Sequence, residues 1–387
     1  MALPEKQKIE VGLVLQGGGA LGAYEWGAVT ALLELIDEAA ALGRDIVLKC
    51  VSGVSIGAVN AACLVGSQSR ADACRRLAAL WDDLTLETPS FWPQPVRRDL
   101  SLFGLPGMYA PRTDPWAFAT WISYYDTSQF LGTLMRHIDF AALNASATAF
   151  VITSVDVESG VLTRFRNAAA RTPYEDAVEI EPRHVLASGS LPPQFPWVEI
   201  GRERYWDGAL VDNAPLGDAI DAFTPGQDID RLLIAMNLYP LRARIPANLA
   251  DVEDRMHELQ LGNRAQQDRN NARRINGLVE TIEDLAALVP ADAIDMRLQA
   301  RLDEARLCKI LDAITEIDLQ DPASGPEPAP QDPADDQFGL RDFSPPTVER
   351  RHRHGYQRAR AKLVPLFANH HLTAATVAAA SGAAARS

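Results

Sequence analysis

LKCVSGVSIGAVN, residues Leu48 to Asn60, is an apolar run broken by two glycines around a serine. Gly53, Val54, Ser55, Ile56 and Gly57 form a G-x-S-x-G pattern, with β-branched residues before it and the small-residue run Ala58 to Ala62 after it. The pattern predicts strand, sharp turn, helix. A serine at the tip of such a turn is held in a strained backbone, and the flanking glycines leave room for strand and helix to cross. Its hydroxyl then stands at the carboxyl end of the sheet, where the next helix N-terminus and nearby amides can stabilise a developing negative charge. A plain βα turn would share much of this pattern, so the surrounding sequence has to decide between a nucleophile and a connector.

Just upstream, Ile9 to Leu15 reads as a buried strand, followed at once by Gln16, Gly17, Gly18, Gly19, Ala20, Leu21 and Gly22. Trp26, Val29, Leu32, Leu33 and Ile36 then recur at helical spacing, so the glycines occupy a strand-to-helix turn. Gly17, Gly19 and Gly22 match G-x-G-x-x-G, but a dinucleotide fold needs an acid at the end of the next strand, and that strand runs into the serine turn. A phosphate-binding P-loop fails too, because no Lys-Ser/Thr closes the turn. What remains is a loop of amides. In a parallel sheet the carboxyl-end turns of adjacent strands lie side by side, which makes this loop a natural oxyanion hole for Ser55.

Composition bounds the alternatives. A chain of 387 residues with 47% hydrophobic content can bury a substantial core, and a formal charge of −14 argues against a general nucleic-acid binder. The four cysteines, Cys50, Cys63, Cys74 and Cys308, form no C-x-x-C pair and fit neither a disulfide framework nor a zinc knuckle. No metal or other cofactor is expected. The N-terminus lacks a signal-peptide apolar run and no segment reaches membrane-spanning length, so the expectation is cytoplasmic residence.

Downstream, Ala71 to Leu84 and Thr127 to Ile138 read as helices, and Ala149 to Val155 and Val161 to Phe165 as a strand pair around Glu158-Ser159-Gly160. Between the helices, residues 85–121 are rich in proline and aromatics, including Trp92, Phe103, Tyr109, Trp116 and Phe118. Two compatible readings apply: a cap whose aromatics pack on the sheet, or a lid lining an acyl pocket. A third landmark is Tyr205-Trp206-Asp207-Gly208-Ala209, where an acid before glycine could simply cap its own turn.

GGGALG after the first strand, GVSIG after the next, and DGA after Ala187-Ser188-Gly189-Ser190-Leu191-Pro192-Pro193 together resemble the patatin-like phospholipase family, over roughly Ile9 to Leu238. Tyr124 to Ser128 and Asp342 to Arg351 resemble a bacterial branch with an additional C-terminal region. The resemblance implies a three-layer α/β/α sandwich with a mainly parallel sheet, and a serine–aspartate dyad in place of a triad. Ser55 matches the nucleophile, Asp207 the general base, and the amides of Gly17, Gly18 and Gly19 the oxyanion hole, with Gly22, Gly53, Gly57 and Gly208 as motif glycines. Where many relatives carry Arg or Lys, this chain has Leu21. The implied activity is hydrolysis of lipid esters through an acyl-enzyme. An acyltransferase and a catalytically silent lipid-binding protein are the alternatives. His184 reads as structural, and no histidine stands where a triad would need it.

The expected organisation is a catalytic domain over residues 1–248, with the 85–121 cap, followed by a helical extension over 249–320. Ile294, Leu298, Leu302, Ile310, Ile314 and Ile317 form a broken apolar stripe there. Residues 321–346 read as a proline-rich acidic linker, 347–372 as a basic helical segment and 373–387 as a disordered tail. The basic segment is either a solvated helix face or a patch for peripheral contact with an anionic membrane.

Overall fold

The computed structural model describes residues 8–89, 91–168, 176–224, 229–239, 245–246, 249–290, 293–308, 313–319 and 340–369. The strands are β1 (Lys8–Leu15), β2 (Ile46–Gly53), β3 (Ala110–Pro111), β4 (Tyr125–Asp126), β5 (Ala149–Asp156), β6 (Leu162–Arg166), β7 (Val198–Ile200), β8 (Glu203–Asp207), β9 (Ile229–Asn237) and β10 (Ala313–Asp318). The first helices are α1 (Gly22–Ala41), α2 (Ile56–Val65), α3 (Arg70–Leu84), α4 (Gln94–Asp99), α5 (Ser128–His137) and α6 (Phe140–Asn144). They are followed by α7 (Pro182–Ser188), α8 (Leu216–Asp221), α9 (Leu249–Ala287), α10 (Met296–Cys308) and α11 (Pro345–Asn369).

The main sheet has the order β10-β9-β1-β2-β5-β8-β7, with β6 paired to β5. The β10/β9, β9/β1, β1/β2 and β2/β5 pairings are parallel, as the α/β reading requires. Alternate residues of β1 feed two cores: Val11, Leu13 and Leu15 join the larger one, shared with α1, α2 and α3. Val14 joins a smaller one under Leu216, Ala219 and Phe223 on the opposite face. The result is a three-layer α/β/α arrangement.

The register around β5 positions the site. Strand β6 runs along one edge of β5 from Val151 to Val155. On the other edge β2 pairs as far as Gly53 opposite Ile152, and β8 takes over with Asp207 opposite Ser154. Two positions along a strand span about 7 Å. The ends of β2 and β8 are therefore brought together on a shared neighbour.

The C-terminal third departs from the sequence reading. Ile314 and Ile317, expected on a helical stripe, lie on β10, where the outer edge of β9 offers a full row of backbone partners to a β-branched segment. Ile310 and most of the predicted linker, residues 321–339, lie outside the described residues, as does the predicted tail over 373–387. The described end of the linker, 340–346, is packed against the catalytic domain.

The basic segment forms α11, on which Arg353 is exposed and pairs with Glu349 of the same helix while other arginines are engaged within the fold. Arg351 is only 2% exposed, Arg358 is buried, and Ala359, Leu363 and Phe367 face the core. Arg360 pairs with Glu38 at 3.0 Å, and the Tyr356 hydroxyl donates to Glu34 at 2.5 Å, both partners lying on α1. A Cβ on Gly27 would fall on the His352 carbonyl oxygen, and one on Gly355 on the Tyr24 carbonyl oxygen. Glycine is thus required on both helices for α11 to seat on α1. In an open helix Gly→Ala is stabilising by up to about 1 kcal/mol, and Gly277→Ala, with nothing in reach of the new methyl, is expected to follow that rule. Gly355→Ala is expected to reverse the sign and cost about 1–3 kcal/mol by overpacking, read as opposite shifts of the urea midpoint.

Candidate active site

Ser55 caps the N-terminus of α2 with φ 55° and ψ −126°, and it is the one non-glycine residue with positive φ among the described residues. The glycines explain how the turn closes. A Cβ on Gly53 would stand 2.6 Å from the Gly57 carbonyl oxygen, and one on Gly57 2.5 Å from that of Leu15. Gly22 similarly makes room for Ile56. The Ser55 N–H donates to Ser188, to both its carbonyl oxygen at 3.0 Å and its hydroxyl at 3.1 Å. The strained backbone is thereby fixed from outside, and Ser55 stays partly exposed between buried neighbours.

In the glycine loop the sequence expectation is only partly met. The Gly17 N–H donates to Asn213 Oδ1 at 3.0 Å, so it is not free to meet an oxyanion. Asn213 Nδ2 returns a bond to the Gly17 carbonyl at 3.1 Å, and the Tyr239 hydroxyl donates to the same oxygen at 2.8 Å. Gly17 is thus an anchor. The N–H groups of Gly18 and Gly19 make no hydrogen bond among the described residues, and both glycines line the cavity beside Ser55. They are the amides available to a developing charge, with the α2 N-terminus adding its dipole.

Below the loop, Glu25 is fully buried, accepting from the Gln16 N–H at 2.6 Å and from Asn60 Nδ2 at 3.2 Å. Burial pushes its carboxyl up to about 8, against the opposing pull of those two donors. Nothing in the motif pattern singles out Glu25 or Asn213. Both are recognisable only once the chain has folded.

Asp207 ends β8 and is 1% exposed. Its Oδ1 accepts from the Ala209 N–H at 2.8 Å, while Oδ2 is buried without a hydrogen-bond partner. Burial pushes the carboxyl up to about 7, with the Ala209 amide and the Ser55 hydroxyl pulling the other way. Gly208 lets the turn pass over β5, since a Cβ there would stand 2.5 Å from the Thr153 carbonyl oxygen. Chemically, the arrangement can hold a hydroxyl for attack, a base poised near neutrality, and two amides for an oxyanion.

Ser55, Asp207 and Gly17 to Gly19 open onto one cavity of about 410 Å³. A family model described as Patatin-like phospholipase matches residues 13–220, more than half of the chain. The chain belongs to the patatin-like phospholipase family. Among solved structures it is similar to VipD from Legionella pneumophila, with 13% identity, a TM-score of 0.39, and coverage of 93% of this chain and 67% of that one. It is also similar to the ExoU–SpcU heterodimer of the Pseudomonas aeruginosa type III secretion system, with 18% identity, a TM-score of 0.29, and coverage of 69% and 52%. The type III effector ExoU gives 18% identity, a TM-score of 0.27, and coverage of 91% and 54%. The chain thus spans between about half and two thirds of the length of these structures. No curated protein matches it.

The cavity of this patatin-like domain is walled by the cap through Leu102, Met108 and Tyr109, and by Tyr124 and Tyr125 just beyond it. The other cap aromatics split from this set. Trp92 and Phe103 line a neighbouring groove of about 630 Å³, while Trp116 is 84% exposed and lines neither space. His184 is away from the cavity: its Nδ1 accepts from the Glu181 N–H at 2.9 Å and its ring packs on Phe165. The wall also contains His257 of α9 and Arg341, both beyond the residues that the family model matches. Among the described residues no group of three metal-ligating side chains occurs.

Asn213 joins the loop after Asp207 to the glycine loop. Asn213→Ala removes both of its bonds to Gly17 and is expected to lower kcat by about 10–100-fold with little change in KM, since a misplaced oxyanion loop loses part of what a full donor contributes. Steady-state kinetics on a dissolved ester, with folding checked by circular dichroism, measures the split. A rise in KM at unchanged kcat would show that Asn213 serves binding instead.

Proposed function

We propose that this chain is a serine acyl hydrolase that cleaves carboxylic esters of lipids through Ser55 and Asp207. The observation that carries the reading is the buried, unpaired Oδ2 of Asp207 held beside a strained, partly exposed Ser55. The Ser55 Oγ attacks the ester carbonyl carbon as its proton passes to Asp207. The carbonyl oxygen becomes an oxyanion facing the Gly18 and Gly19 N–H groups. Collapse of this intermediate breaks the bond to the alcohol, which leaves with the proton from Asp207, and the acyl group stays on Ser55. Water then gives a proton to Asp207 and attacks the acyl carbon, and collapse breaks the bond to Ser55 Oγ as Asp207 returns the proton to it, releasing the acid with both residues restored.

A base that must be ionised to work and that titrates near 7 sets the pH dependence. Activity is expected to rise with pH on an acid limb centred at about 7, because protonated Asp207 cannot accept from Ser55. Ser55→Ala should abolish both turnover and labelling by a fluorophosphonate, while Asp207→Asn should cost about 10²–10⁴-fold in kcat/KM. Labelling of a different serine in the Ser55 variant would overturn the assignment.

The cap supports lipid as the substrate form. From Leu100 to Tyr125 the chain has two charged residues, Arg112 and Asp114, and they neutralise each other at 2.7 Å. Leu102, Phe103, Trp116 and Phe118 are exposed on this segment, and Leu102 also lines the cavity. A largely apolar stretch beside the opening suits a lipid surface better than water. Replacing Trp116 and Phe118 together with serine is expected to lower activity on phosphatidylcholine vesicles several-fold and to leave a dissolved short-chain ester unaffected. Equal rates on vesicles before and after the change would remove the cap from the lipid-facing role.

A further inference from the structure

We propose that Arg341 is an anion subsite of the substrate cavity, reading the phosphodiester of a phospholipid or lysophospholipid and so favouring these over neutral acylglycerols. The inference rests on the ester-hydrolase reading above and adds to it the chemical class of the substrate. It draws on a segment that lies well beyond the family match.

Residues 340–343 are pinned on both sides of the cavity mouth. The Leu340 carbonyl accepts from the Ala20 N–H at 2.9 Å, directly on the glycine loop. The Arg341 carbonyl accepts from the Ser101 hydroxyl at 2.7 Å, and the Phe343 carbonyl from the Leu86 N–H at 2.8 Å, both at the cap. A Cβ on Gly19 would fall on the Leu340 carbonyl oxygen, so the two segments are in close contact. The backbone that carries Arg341 is therefore placed by the same loop that presents the Gly18 and Gly19 amides.

The Arg341 side chain lines the cavity with Ser55 and Asp207, is exposed, and makes no ion pair or hydrogen bond among the described residues. Its neighbour Asp342 is not available to it. The Asp342 carboxylate is fully buried and accepts from the Ser344 N–H at 3.1 Å, the Ser344 hydroxyl at 2.6 Å and the Thr347 hydroxyl at 2.9 Å. The other ionisable acid or histidine groups on the wall are the buried Asp207 and the exposed His257. The glycine loop supplies no cation of its own, because Leu21 is there and is buried. Burial raises the hydroxyls of Tyr109 and Tyr125 above their ordinary range, and the positive charge of Arg341 opposes that rise.

A permanent cation with no ion-pair partner among the described residues, set in a wall with Leu102, Met108, Phe195 and Leu261, creates a local positive field that low-dielectric surroundings concentrate. On a chain with a formal charge of −14 that field is what an anionic substrate would need to approach. Guanidinium geometry fits two oxygens of one phosphate, whereas an uncharged glyceride offers nothing for it to hold.

The test compares dihexanoyl-phosphatidylcholine with dihexanoylglycerol below their aggregation limits, in the full chain with Arg341 intact and in its Arg341→Gln and Arg341→Lys variants. The ratio of kcat/KM for phospholipid over diacylglycerol is expected to fall about 10–100-fold in Arg341→Gln, the range of a charge-assisted bond, and to fall less in Arg341→Lys. Equal losses on both esters, or no loss on either, would overturn the proposal. Binding of the same two lipids is also measured in Ser55→Ala, where turnover is not needed. A phospholipid preference there that disappears when Arg341→Gln is added supports the subsite even if the hydrolase reading fails, and no preference overturns it. Inorganic phosphate is the third ligand: tighter binding of phosphate than of phospholipid would place a free-anion site here and overturn the headgroup assignment.

Discussion

The site depends on how two strands share one edge of β5. A parallel strand, β2, ends there at Gly53, and an antiparallel strand, β8, begins its pairing two positions further on with Asp207 opposite Ser154. Neither Ser55 nor Asp207 could choose its place independently, because a slip of one residue in either register would turn every following side chain to the other face of the sheet. The buried residues Val151 and Ile152, which feed the two different cores, hold that register. The geometry of the candidate site is thus a consequence of core packing, transmitted by backbone hydrogen bonds.

That geometry is costly to the fold. Ser55 occupies a backbone region that non-glycine residues avoid, and Asp207 and Glu25 are acids taken out of water. The sign of the pH effect follows. In the folded chain their carboxyls bind protons more tightly than in the unfolded chain, reaching about 7 and about 8. Their contribution to stability is greatest below the ordinary carboxylate range and is lost as pH rises through those values. The condition that ionises Asp207, as the proposed base catalysis requires, is therefore also the condition that makes its burial least favourable.

Much of this arrangement was legible in the sequence because close approaches leave a residue signature. Gly53, Gly57, Gly22 and Gly208 each stand where another atom occupies the space of a Cβ, and such sites have to be glycine in any sequence with this turn. The parallel sheet was readable for a similar reason, since strands buried on both faces lack polar alternation. What was not legible is what depends on distant partners. That the Gly17 amide is spent on Asn213, or that Glu25 supports Gln16, is a fact about residues brought together from 196 and 9 positions apart. The segment around Ile314 carried apolar spacing compatible with a helix, and only the open edge of β9 made it a strand. In the cap, a count of aromatics could not separate the buried Tyr109 from the exposed Trp116.

The basic stretch shows why composition misleads most at the C-terminus. Read alone, six cations in residues 347–365 suggested solvent or an anionic surface. In the fold they bracket Gly355, whose missing side chain lets α11 reach α1, and α1 is the helix that begins at the glycine loop. Strand β10 completes the far edge of the sheet, and the Tyr24 hydroxyl on α1 donates to its Asp318 carbonyl at 2.9 Å. The 340–343 segment then bonds to Ala20 itself. Two pieces of the C-terminal region therefore pack on the helix that begins at the glycine loop, and a third bonds to the loop itself. The limit at residue 220 marks where the family pattern stops matching, whereas the packing that fixes the site continues to α11.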